Sequence, residues 1–125
     1  MASSYFHRDH RAKEVAVTEL FLRADIGASG APTIDTAGSK GIASISRTAT
    51  GDYTITLSES YNSLLMVDVM MLEADDTDLT FQVASQAVSN STPTVAIVCK
   101  AAATPADPPD GSDLYVRITV KNSSV

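Results

Sequence analysis

Tryptophan is absent from this 125-residue chain, and its other aromatics come to three Phe and four Tyr. Exposed aromatic platforms that stack on sugar rings are therefore in short supply, which argues against a lectin-like site. The single cysteine, Cys99, excludes an internal disulfide, so the fold has to be held by its core or by oligomerisation. Basic residues are outnumbered, nine Lys and Arg against fifteen Asp and Glu, and the net charge of −6 opposes binding to DNA or RNA. No apolar run reaches the length of about 18 residues that a spanning helix needs, so no membrane partner is expected. The N-terminal stretch MASSYFHRDHRAKE places charges where a secretion signal requires an apolar segment, and synthesis in the cytoplasm is the expectation.

Catalytic signatures are missing as well. There is no Gly-x-Ser-x-Gly elbow, phosphate-binding loop or dinucleotide fingerprint. Cys99 lies on an apolar, strand-like run, where a small buried hydrophobe is commoner than a nucleophile, and both histidines, His7 and His10, belong to the opposite end of the chain. We expect no enzyme and no cofactor. His7 and His10 flank Asp9 in HRDH, a partial metal-ligand set, but a free terminal arm lacks the rigid outer shell that ligands need. Asp75, Asp76 and Asp78 in one turn, and Asp107, Asp110 and Asp113 in another, offer oxygens to calcium. Neither group has the spacing of an EF-hand, and carboxylates at turns commonly serve turn geometry, so no metal site is assigned.

What the chain does hold is alternation. Thr50, Gly51 and Asp52 mark a tight turn between two strand-like runs, about 42–49 and 53–58, which predicts a β-hairpin. Tyr53, Ile55 and Leu57 alternate with Thr54, Thr56 and Ser58; Leu79, Phe81 and Val83 alternate with polar neighbours; Val95, Ile97 and Cys99 point one way; Leu114, Val116, Ile118 and Val120 alternate with Tyr115, Arg117, Thr119 and Lys121. Residues 15–25 match helical spacing through Val17, Leu20, Phe21 and Ala24, but the β-rich context and the opening β-branched residues favour a strand. Residues 27–40 and 104–113, rich in Gly, Ser, Thr and Pro, read as loops without regular structure, and Tyr61 in the corner after the hairpin is expected to pack inward.

Residues 64–73 differ from the rest. One side carries Leu65, Val67, Val69 and Met71, the other Leu64, Met66, Met70 and Leu72 interrupted by Asp68. A strand apolar on both sides is one that is covered on both sides. A sister subunit and the N-terminal segment of the same chain are the two candidate covers. The length suits one domain, divided as an N-terminal arm over 1–13 and a folded unit over 14–125. About seven strands separated by turn signals predict an all-β, jelly-roll-like β-sandwich, with a small β-barrel as the competing closure.

Four stretches together carry a resemblance: SKGIASISRT at 39–48, GDYTITL at 51–57, the YNSLL corner at 61–65 and LYVRITVKNS at 114–123. They resemble a recurring pattern in small virion structural proteins of tailed bacteriophages, and the match covers about residues 27–125. The resemblance implies a capsid decoration or cement protein on the outside of the phage head, made in the host cytoplasm, with the major capsid protein as partner and a homotrimer as assembly. A head- or tail-fibre module contacting the host surface is the alternative. Contact residues expected on this basis are Tyr5, Phe6, Arg8 and Arg11 in the arm and Leu65, Val67, Val69 and Met71 in the doubly apolar strand.

Overall fold

The computed structural model describes residues 17–73 and 78–122. Among these residues the strands are β1 (Val17–Ile26), β2 (Pro32–Ile34), β3 (Ile42–Ala49), β4 (Asp52–Leu57), β5 (Ser63–Leu72), β6 (Leu79–Ala87), β7 (Thr94–Ala101), β8 (Thr104–Pro105) and β9 (Asp113–Lys121). They form two antiparallel sheets packed face to face, an all-β sandwich. One sheet has the order β2-β1-β9-β5; the other has the order β3-β4-β7-β6, with β8 also paired to β7.

Seven of the nine strands are those that alternation predicts. The two additions, β2 and β8, lie inside the stretches expected to be irregular. Both contain a proline, which cannot donate to a ladder and is confined to sheet edges and strand ends. β2 pairs with the last three residues of β1, Ile34 opposite Ala24, and β8 pairs with the end of β7.

Burial follows the pleat. In β9, Leu114, Val116, Ile118 and Val120 are buried while Tyr115 and Arg117 face out. β1 is a strand, and its buried residues are Leu20, Leu22, Ala24 and Ile26, so Phe21, on the opposite side, is 41% exposed. Nine residues of β1 pair continuously with β9, from Val17 opposite Lys121 to Asp25 opposite Asp113. That continuous ladder decides against the helical spacing seen in the sequence. Ile45 of β3, Tyr53, Ile55 and Leu57 of β4, Val95 and Ile97 of β7, and Tyr61 and Val88 complete the core.

The β3–β4 turn is docked rather than free. Gly51 sits at φ +74, and a Cβ there would lie 2.5 Å from the Cys99 carbonyl oxygen and 2.8 Å from the Ala106 nitrogen. The segment after β8 folds over the turn. Asp107 accepts from the Gly51 N–H at 2.8 Å and takes a two-pronged contact from Arg47, Nε to Oδ1 at 2.9 Å and Nη2 to Oδ2 at 2.8 Å. Arg47 holds the Asp107 carboxyl below the usual range, reinforced by the Gly51 N–H against some burial. Deeper in, the Tyr53 hydroxyl donates to the Gly30 carbonyl at 2.7 Å, tying the hairpin to the loop between β1 and β2. The residues behind the phage resemblance therefore have structural work here: Gly41 and Gly51 at positive φ, Arg47 in the ion pair, Tyr53 and Tyr61 in the core.

Candidate functional site

Among the described residues, most of the exposed large apolar side chains lie on the outer face of the β2-β1-β9-β5 sheet. The ladders place its residues in rows across β1, β9 and β5: Phe21, Arg117 and Asp68 in one, Arg23, Tyr115 and Met70 in the next. Met66 and Leu72 lie above and below Asp68 and Met70 on β5. Exposure is 57% for Met66, 73% for Met70 and 63% for Leu72, with Phe21 and Tyr115 near 40%. Between them is a shallow depression of about 610 Å³, lined by Phe21, Gly38, Asp68, Met70, Tyr115 and Arg117.

Polar groups on this face are mostly spoken for. Arg117 donates twice to Asp68 Oδ2, from Nη2 at 2.5 Å and Nε at 3.1 Å, across the middle of the patch. Arg23 lies over the Tyr115 ring at 5.6 Å and near Asp35 and Asp113 at 3.6 and 3.7 Å. One wall is the 35–40 segment, held beside β1 by Phe21 and Lys40, whose backbone groups bond reciprocally at 3.0 and 2.7 Å. At the far end, a hydrogen bond with Asp113 pushes the Asp25 carboxyl above its ordinary range, helped by partial desolvation and like charge.

A one-residue bulge between Leu64 and Met66 sets the phase of β5. Leu64, before it, and Val67 and Val69, after it, pack against the core, while Leu65 is 46% exposed. The contact residues read from the sequence are thus divided. Val67 and Val69 face inward and Met71 is half-buried; Leu65 is turned out by the bulge. On the outer side, for which a sister subunit or the N-terminal segment is the expected cover, Met66, Met70 and Leu72 are exposed in the single chain, and residues 1–16 lie outside the described residues. Tyr5, Phe6, Arg8 and Arg11 lie outside the described residues, as do His7, His10, Asp75 and Asp76.

Phe21 and Tyr115 escaped sequence reasoning as partners of Met70. The alternation of β9 does point Tyr115 outward, but which strand would lie beside it is a property of the topology. Cys99 is buried, and burial pushes its thiol up to about 11. Asp107 is committed to Arg47, and Asp113 lies beside Asp25 and Arg23. Among the described residues no group of His, Cys, Asp and Glu is arranged to hold a metal ion. What the exposed face offers is contact area with a salt bridge at its centre. Comparison with protein-family models, curated proteins and solved structures finds no match to this chain.

Proposed function

We propose that the protein is a virion structural component of a tailed bacteriophage, a decoration or cement protein that seats the outer face of its β2-β1-β9-β5 sheet on the outside of the head. Its partner is the major capsid protein, and its effect is to stabilise contacts between capsomers by burying surface across them. The observation that carries this is the open apolar patch of Phe21, Met66, Met70, Leu72 and Tyr115 on one sheet face. The sequence resemblance supplies the setting.

The magnitudes fit a task done in many copies. At ~200 Å² per large side chain, those five expose about 500 Å², at the upper end of the largest patch on an ordinary monomer. Full burial contributes up to ~12 kcal/mol, which association costs of ~4–15 kcal/mol largely offset. One copy therefore holds weakly, and a symmetric lattice with a second contact per copy holds well. Residues 1–13, with Tyr5, Phe6, Arg8 and Arg11, are the proposed second contact.

Copies per particle test the proposal. Quantitative mass spectrometry of purified particles of the encoding phage should find hundreds of chains for each head. A dozen or fewer would assign the chain to a fibre or tail instead, and its absence from particles would end the virion reading.

A further inference from the structure

Among the described residues β5 ends its sheet with one edge unpaired, and that edge points to a second copy of this chain. In the β2-β1-β9-β5 sheet the two edges are unequal: β2 has three residues and β5 has ten. Long edges are normally guarded by proline, lysine, inward charge or a mid-strand bulge. The other sheet's β6 edge has a bulge between Val83 and Ser85. β5 has no Pro, Gly or Lys, its bulge is confined to the start, and its one charge, Asp68, is neutralised by Arg117. Met66–Leu72 is left as seven residues of regular, apolar-flanked edge.

We infer that two copies pair antiparallel through β5, about a twofold axis at Val69, making one continuous eight-stranded sheet. An edge that pairs with itself closes as a dimer, whereas a threefold needs a different surface to receive it, and β2 is too short to match β5. Register follows from charge and overlap. An axis at Asp68 would set two carboxylates directly opposite each other, which is unfavourable. An axis at Val67 would run the pairing into the bulge, and one at Met70 would shorten it. With Val69 on the axis, Met66 faces Leu72 of the second copy and Asp68 faces its Met70, so all seven regular residues pair.

The area argues for the same occupant. The outer side chains of Met66, Met70 and Leu72 expose about 400 Å² at ~200 Å² each, and edge pairing covers part of that on both copies along with the open backbone. The total, under about 800 Å² of side chain over both copies together with the open backbone, is below the ~1,200 Å² at which stable interfaces begin, which is that of a weak, reversible dimer. Pairing also sets the two outer faces side by side, doubling the apolar patch. The inference stands without the capsid reading, since it concerns the isolated chain.

Sedimentation of the full chain across about 1–100 µM should show a concentration-dependent species of twice the 13.1 kDa monomer mass. For register, chains carrying Met66→Cys mixed with chains carrying Leu72→Cys should form an interchain disulfide under mild oxidation, at least tenfold more than either alone; Cys99 is buried and does not compete. Leu72→Asp should leave the β-sheet circular dichroism unchanged and raise the dissociation constant at least tenfold. A monomer at every concentration, a trimer, or a dimer in which the mixed cysteines do not link would each overturn the inference, whatever the chain does on a phage particle.

Discussion

Replacing Asp107 with alanine should cost the fold more than replacing the arginine it holds. Asp107 accepts two bonds from Arg47 and one from the Gly51 N–H, all between 2.8 and 2.9 Å. The ion pair is partly solvated, with 30% and 21% of the two side chains exposed, so its own contribution is about 1 kcal/mol or less. The Gly51 N–H is part-buried beneath the 104–109 segment, and losing its acceptor costs a further ~1–2 kcal/mol. Asp107→Ala should therefore destabilise by up to about 2–3 kcal/mol and Arg47→Ala by clearly less, read by urea denaturation at pH 7. For a chain of this size that difference is several degrees in Tm. The sign of the pH dependence is set by the depressed Asp107 value. Its stabilisation is fully present above the ordinary 3.8 and is lost as pH falls through the lower folded-state value, so parent and variant should converge in acid. Equal costs for the two substitutions, or a gap that does not narrow at all as pH falls below 3.8, would refute the assignment of Asp107 as the clamp on the hairpin turn.

Three further outcomes follow from single groups. Tyr53→Phe removes the 2.7 Å bond to the Gly30 carbonyl and should cost ~1–3 kcal/mol in denaturant melts; a cost near zero would mean that water replaces the hydroxyl. Cys99, with its thiol pushed up to about 11 by burial, should react with a disulfide reagent at about pH 8 at least a hundredfold more slowly in the native chain than in urea; equal rates would place it at the surface. For Asp25, raised by its hydrogen bond with Asp113, the pair's contribution is present below the ordinary 3.8 and is lost as pH rises through the raised value. Asp25→Asn should therefore gain Tm relative to the parent as pH rises from below 3.8 toward neutrality, and a difference independent of pH would contradict the shared proton.

How much of this was legible beforehand depended on whether the information was local. The β3–β4 hairpin and the inward set of β9 follow from period-two alternation and a turn glycine, both written in adjacent residues. β1 was legible as a strand through its context, but its buried side was not: its residues matched helical spacing through Val17, Leu20, Phe21 and Ala24, and pairing with β9 selected Leu20, Leu22, Ala24 and Ile26. β2 and β8 were hidden because their residues are poor strand formers held in place by a neighbouring edge. In β5 the doubly apolar composition did single out the strand that carries the open face. The bulge after Leu64, which sends Leu65 outward and Val67 and Val69 to the core, leaves no mark in a run of uniformly apolar residues. The candidate site was least legible of all, since Phe21, Tyr115 and Met70 come from three strands widely separated in sequence and meet through the sheet order.

In the proposed role, this sandwich works by contact through the outer face of its β2-β1-β9-β5 sheet. A density map of the assembled phage particle, with the chain located in it, tests that most directly. The account predicts Phe21, Met70, Leu72 and Tyr115 against the capsid shell, with β5 edges adjoining where two copies meet. A chain seated through the opposite sheet, with Met70 and Tyr115 facing solvent, would contradict it.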